Sequence, residues 1–187
     1  MSIGAVVIGR NEGARLERSL QALAGQVAQI VYVDSGSTDG SVAAARGLGA
    51  EVVELDMKHP FTAARARNAG VAALGEEITL VQFLDGDCIL RDGWLAAAEA
   101  HLNAHPQLAV VCGRRREEHP QTSIYNSLVD AEWDTPPGEA RACGGDALIR
   151  LEALRAVGGY RAEMIAGEEP ELCQRLRRAG WQIWRLE

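Results

Sequence analysis

Short runs rich in β-branched residues alternate with Ala-, Leu- and Arg-rich stretches through the first 113 residues. IGAVVIG (3–9), IVYVD (30–34), EVVEL (51–55), ITLVQFLD (78–85) and LAVVCG (108–113) read as strands, and 13–25, 39–48, 61–74 and 92–104 read as the helices between them. Strands that are apolar without alternation are covered on both faces, so the repetition predicts βαβ units around a mainly parallel sheet, an α/β fold of Rossmann-like type. In the first helix Leu16, Leu20 and Leu23 fall at i, i+4 and i+7, a single stripe facing the sheet, with Arg15, Glu17 and Arg18 outside it.

Past residue 114 the alternation stops. RRREEHPQTS and EWDTPPGEA are polar and Pro-bearing, so 114–141 reads as irregular, with Trp133 in a polar loop. ACGGDALIR (142–150) predicts a short strand or turn leading to a helix that stops at Gly158-Gly159. Residues 168–180 predict a helix with Glu168, Glu169 and Glu171 at its start and Arg175, Arg177 and Arg178 near its end, the order that suits the helix dipole. WQIWRLE would be a last strand. No repeat or low-complexity linker interrupts the chain, and 1–187 reads as one domain.

Composition narrows the partners. A chain that is 47% hydrophobic and 24% charged builds an ordinary packed core, and a formal charge of −7 gives nucleic acid no general attraction. Cys88, Cys112, Cys143 and Cys173 form no C-x-x-C pair, which favours reduced thiols in a cytoplasmic protein. The N-terminus is unlike a secretory signal, and no apolar stretch reaches the ~18–20 residues that span a bilayer.

In an open α/β sheet ligands sit beyond the carboxyl ends of the strands. Three predicted strands end in polar groups on that rim: GRNEG with Asn11 and Glu12, VDSGSTDG with Asp34, and FLDGDC with Asp85 and Asp87. The two carboxylates of Asp-Gly-Asp suit Mg²⁺ or Mn²⁺ carrying a diphosphate, whereas the same tripeptide out of context is a turn. Asp34 fits a base or ribose contact and an ordered loop equally well, and Asp39 fits a helix cap. Of Arg65 and Arg67, two apart and so on different helix faces, Arg67 is the one chosen to reach a phosphate. Glu168 and Glu169 fit dipole partners or a general base. His101 and His105, four apart, read as a surface pair over a metal clip that lacks a third ligand nearby, Arg114–Glu118 as a solvated turn over a contact to a phosphate or lipid headgroup, and Trp133 as either a plug under its loop or a plane for a sugar ring. No G-x-G-x-x-G follows the first strand and no G-K-[ST] occurs, which removes dinucleotide oxidoreductases and P-loop enzymes.

Taken in order, VVIGRNEG, IVYVDSGSTDG, ARNAG, FLDGD, CGGDALIR, VGGY and GEEPELCQRLRRAGW resemble the inverting, nucleotide-sugar-dependent glycosyltransferases of family 2, which have the GT-A fold. The resemblance implies a nucleotide-sugar-binding half (1–113) and an acceptor-binding half (114–187), with a bacterial cell-surface or exported polysaccharide as the product. It implies that Asp34 contacts the base, that Arg67 lies near the nucleotide, and that Asp85 and Asp87 form the DxD pair with Mn²⁺ or Mg²⁺ on Asp87. Glu169, where the family has Asp, takes the place of the catalytic base, with Glu168 as the substitute, and Gly144, Gly145 and Asp146 line the acceptor side. The acceptor would be a carbohydrate or lipid-linked hydroxyl. Family members commonly run on into a His-bearing segment and then membrane-associated helices, and none of His59, His101, His105 or His119 matches that His. The resemblance therefore implies a site completed beyond Glu187 and work at the inner face of the cell membrane. The other enzyme class with similar parts is a metal-dependent nucleotidyltransferase, for which GRNEGARL makes a poor first loop; a sugar-nucleotide-binding domain without turnover is the non-enzyme alternative.

Overall fold

The computed structural model describes residues 1–187. Four strand–helix units open the chain: β1 (Ile3–Gly9) with α1 (Ala14–Leu23), β2 (Gln29–Asp34) with α2 (Ser41–Gly47), β3 (Glu51–Glu54) with α3 (Ala63–Ala72), and β4 (Leu80–Asp85) with α4 (Trp94–Ala104). Then come β5 (Leu108–Cys112), α5 (Ile124–Trp133), β6 (Gly138–Glu139), β7 (Ala147–Arg150), α6 (Leu151–Ala156), α7 (Glu168–Arg178) and β8 (Gln182–Arg185). All eight strands form one sheet in the order β3, β2, β1, β4, β7, β5, β8, β6. No helix is long and apolar enough to cross a membrane.

β1 to β5 and β8 run the same way, so their carboxyl ends share one rim. β7 runs against both neighbours, pairing Phe83 with Ala147 on the β4 side and Cys112 with Ala147 on the β5 side. An antiparallel strand begins where its neighbours end, so the Gly144–Asp146 segment that leads into β7 arrives at the same rim.

Residues of one strand alternate between two cores. Val6 and Ile8 of β1 join Ala64 and Ala66 of α3, Leu151 and Leu154 of α6, and Leu172 and Leu176 of α7. Ala5 and Val7 face the other way, against Leu16, Leu20 and Leu23 of α1, Ala45 of α2, and Leu95, Ala98 and Leu102 of α4. The Leu16–Leu20–Leu23 stripe is therefore buried as its spacing predicts. A Cβ on Gly70 would overlap Val6 Cγ1, so a glycine here is what lets α3 lie close on β1.

Residues 114–141, irregular by their sequence, contain a helix. Ile124–Trp133 is a ten-residue helix whose Ser123 side chain accepts from the Asn126 N–H, and Trp133 ends it rather than sitting in a loop. None of its residues is buried. Ile124, Tyr125 and Leu128 are 72%, 76% and 61% exposed, so the core that reveals the other helices has no counterpart in this one.

Candidate active site

The rim is built first by backbone. Ile8 stands opposite Asp85, and Gly9 opposite Asp34. The Gly86 N–H donates to Ile8 O (2.8 Å), which ties the turn after β4 to the end of β1. A cleft of about 300 Å³ lies over this seam, lined by Ile8, Gly9, Arg10, Glu12, Phe61, Asp85, Gly86 and Asp87. That is the lower end of the range for small-molecule sites, ~300–1,000 Å³.

Glu12 lines this cleft, and Asn11 before it fixes the path of the loop. Asn11 has φ +57°, its N–H donates to Ser37 Oγ (2.9 Å), and its Oδ1 accepts from the Thr38 N–H (2.7 Å), so the loops after β1 and β2 are laced together. Glu12 pairs with Arg15 at 2.8 Å.

Asp34 is 2% exposed. Its Oδ2 accepts from the N–H groups of Gly36 and Ser37 (2.9 and 2.8 Å), and Oδ1 from the Tyr32 hydroxyl (3.0 Å). These bonds fit loop ordering, the second of its two sequence readings. Asp39 accepts from the Ser41 N–H (2.9 Å) at the start of α2, and hydrogen bonding from the Ser41 hydroxyl first and its N–H second holds the Asp39 carboxyl below the usual range.

Around Asp85 the chain concentrates charge. Arg67 projects from α3, 3% exposed, and donates through Nη2 to Asp85 Oδ1 (2.9 Å) and through Nη1 to Glu168 Oε1 (2.7 Å). Its guanidinium lies 5.6 Å from the Tyr160 ring centroid. Burial disfavours the Arg67 charge, but Tyr160, Asp85 and Glu168 outweigh it and hold the group above its ordinary value. Arg65 turns outward to the carbonyls of Asp56 and His59, as two positions on different helix faces require. Asn68 exchanges hydrogen bonds with the Tyr160 backbone (2.7 and 3.0 Å) and anchors the VGGY turn.

Asp146 closes the array from the other half of the chain. It accepts the Asp85 N–H (3.0 Å) and the Arg115 guanidinium (2.5 Å), and Arg115 Nη2 lies 3.7 Å from Asp85. The Asp85 carboxyl is pushed up, first by burial and then by Asp146, against the pull of Arg67 and Arg115. At Gly145 a Cβ would meet Arg67 Nη2 at 2.8 Å, Asp85 Oδ2 at 3.0 Å and Arg115 Nη2 at 3.3 Å; the charges converge on bare backbone.

Arg115, which the sequence favours as part of a solvated turn over a phosphate contact, belongs to the charge array. The signal was present: it follows β5 by three positions, and the strand-end rule applied to β1, β2 and β4 applies equally there. Trp133 carries the Arg115 guanidinium 5.1 Å from its ring centroid, so neither the plug nor the free sugar platform describes its present contact.

Glu168 and Glu169 open α7 after Gly167 at φ +77° and point to different places. Glu168 joins the charge array through Arg67. Glu169 is 7% exposed; its Oε1 accepts from the Cys143 N–H (2.5 Å) and the Cys173 thiol (2.9 Å), while Oε2 accepts from no protein group. Cys143 and Cys173 approach to 3.5 Å, and their mutual hydrogen bond, together with burial, pushes the Cys143 thiol well up. His101 and His105, both half-buried, stack at 4.3 Å between ring centroids at the C-terminal end of α4, and His101 also stacks on Trp184 of β8 at 5.6 Å.

The donor set fits a hard divalent cation. Asp85 and Asp87 offer carboxylate oxygens to one cleft, and Asp87 is exposed with no ion-pair partner. Asp85, Cys88 and Asp146 also place their ligand atoms within 4.8 Å of one another, where hard oxygen ligands are the ones that suit Mg²⁺ or Mn²⁺ and the soft Cys88 sulfur does not.

Residues 5–157 match the model of the family Glycosyl transferase family 2. The chain is 30% identical over 200 residues to the pre-mycofactocin glycosyltransferase of Mycobacterium tuberculosis, covering 95% of this chain and 39% of that protein. It is 28% identical over 190 residues to the succinoglycan biosynthesis protein ExoA of Rhizobium meliloti, covering 93% and 57% respectively. The chain thus spans 39–57% of the length of these relatives. Among solved structures it superposes on S. aureus TarS with a TM-score of 0.77 at 18% identity, covering all of this chain and 58% of that one. The mannosyltransferase PcManGT of Pyrobaculum calidifontis, solved with GDP-Man and Mn²⁺, gives 0.72 at 20% identity over 98% of this chain and 56% of that one. Glucosyl-3-phosphoglycerate synthase of M. tuberculosis, solved with UDP, gives 0.71 at 21% identity over 98% and 69%. With the sheet order, the rim and a family match over most of its length in agreement, the chain belongs to glycosyltransferase family 2 and has the GT-A fold.

Proposed function

We propose that this protein transfers a sugar from a nucleoside-diphosphate sugar to a hydroxyl of a carbohydrate or lipid-linked acceptor, with inversion, in the synthesis of a cell-surface or exported polysaccharide. The observation that carries the reading is the convergence of Asp85, Arg67, Glu168 and Asp146 beside a cleft floored by Asp85 and Asp87. The names of ExoA and of the neighbours bound to GDP-Man and UDP support the substrate class.

Asp87, with Asp85, would hold Mn²⁺ or Mg²⁺. When bound, such a cation neutralises charge that develops on a departing diphosphate. Arg67 is fixed before the reaction by Asp85, Glu168 and the Tyr160 ring, so it stabilises the same charge without reorganising. Glu169 is the base in this reading. Glu168 is committed to Arg67, whereas neutral donors fix Glu169 Oε1 and leave Oε2 to take the acceptor's proton. The acceptor oxygen attacks C1 from the face opposite the leaving group, its proton passes to Glu169, and the C1–O bond electrons leave with the nucleoside diphosphate. The segment around Gly145 and Asp146 lies on the acceptor side.

Glu169→Gln is expected to keep calorimetric binding of UDP or GDP with Mn²⁺ and to lose transfer from the corresponding sugar nucleotides by about a hundredfold or more. The same phenotype in Glu168→Gln alone would move the base by one residue. Pyrophosphate release from a nucleoside triphosphate would replace the reading with nucleotidyl transfer.

A further inference from the structure

The two arginines of the charge array are held in opposite ways. Arg67 is enclosed, donates from both terminal nitrogens and lies on a buried tyrosine. Arg115 leaves about a third of its side chain exposed and reaches both Asp146 and Asp85 with the single nitrogen Nη2. Its Nε and Nη1 have no protein acceptor. It springs from an irregular segment after β5, and its platform, Trp133, sits on the one long helix that buries nothing. One guanidinium is part of the scaffold; the other is tethered at loose points.

We propose that Arg115 is an exchangeable counter-cation: in the ligand-free protein it balances Asp85 and Asp146, and on donor binding it leaves them for the donor's diphosphate as a divalent cation arrives. The proposal rests on the sugar-nucleotide reading for its second half only. Without Arg115, Asp85 and Asp146 would face each other across the rim with Arg67 as the remaining close cation, and like charges at such range repel strongly in a partly buried site. A positive group within 3.7 Å of Asp85 equally opposes a second cation there, so the two compete for one place. A guanidinium released from a carboxylate has two planar N–H forks suited to phosphate oxygens. Because three charged groups already crowd the space over Gly145, a cation entering beside Asp85 requires one of them to move, and Arg115 is the least confined.

The test compares the whole chain with Arg115→Gln and Arg115→Lys. Mn²⁺ alone is titrated at low ionic strength with the free ion read by electron paramagnetic resonance; UDP and GDP are then titrated calorimetrically at saturating Mn²⁺. Arg115→Gln is expected to bind Mn²⁺ alone more tightly, on the order of tenfold, and a nucleoside diphosphate more weakly by a similar factor. Arg115→Lys, which keeps the charge and loses the fork, should hold Mn²⁺ near the wild-type affinity and bind the diphosphate less well. It serves as the decisive variant if Arg115→Gln fails to fold. Equal or weaker Mn²⁺ uptake in Arg115→Gln, or no uptake by either protein, overturns the exchange and leaves Arg115 as a structural ion pair. A wild type that binds Mn²⁺ but neither UDP nor GDP refutes the sugar-nucleotide reading and the second half of the exchange, while the Mn²⁺ comparison still decides the first half.

Discussion

The rim formed by β1, β2 and β4 and the segment from Arg114 to Trp133 both deliver charged side chains to one site, but they are held by different means. On the rim, Asp34 and Asp85 end strands whose alternate side chains enter two cores, and the loops are laced by backbone N–H groups to Asp34, Asn11 and Asp146. In the later segment a helix of ten residues rests on ion pairs such as Arg116–Asp130 and Arg114–Asp134 and buries nothing. A site assembled from one stiff and one loose wall can fix the charges of its stiff wall in advance and still let the opposite wall adjust.

Substitutions that measure the two walls sharpen this contrast. Phe83→Ala empties a fully buried position of β4 beside the Tyr160 ring and is expected to cost about 3–5 kcal/mol in urea denaturation. Gly70→Ala drives a methyl into Val6 between α3 and β1 and should cost about 1–3 kcal/mol by the same measurement, although alanine is the better helix former. Glu171→Gln tests an intermediate case on α7, where the hydrogen bond from Arg175 holds the carboxyl below its ordinary value. A depressed carboxylate stabilises the fold above its unfolded value near 4.5, and this is lost as pH falls through the lower folded value. The variant should therefore be less stable at neutral pH by about 0.5–1 kcal/mol, with the difference vanishing in acid. Leu128→Ala on α5 should change stability by less than about 0.5 kcal/mol. A loss of several times that amount would mean the exposed face of α5 is covered in solution, and the contrast between the walls would fail.

The same contrast explains what the sequence disclosed. Leu16, Leu20 and Leu23, the unbroken apolar strands and the polar residues at strand ends are visible because burial imposes a period on composition, and Arg67 could be separated from Arg65 by helix geometry alone. The α5 helix stayed hidden because Ile124, Tyr125 and Leu128 face no core and the Pro-bearing flanks dominate its local pattern. Arg115 was legible by the rule used for the other strands but lay in a run of charges that looks like a solvated turn. Asp34 shows the opposite limit: its place at a strand end could be read, but its commitment to Tyr32, Gly36 and Ser37 depends on a loop path that no spacing specifies.

The reversed strand β7 has a consequence for how the molecule comes into being. It is the only link between β4 and β5, so a nascent chain that has produced residues 1–113 has no neighbour for the β4 edge, and the apolar row Leu80–Leu84 lies open to another copy. Fragments ending there should self-associate when expressed, and adding a separately expressed 114–187 piece should rescue them only if Ala147–Arg150 zips in between β4 and β5. The central seam of the sheet thus forms only after residues 147–150 have been made, and Asp146 meets Asp85 and Arg115 only once that seam has closed.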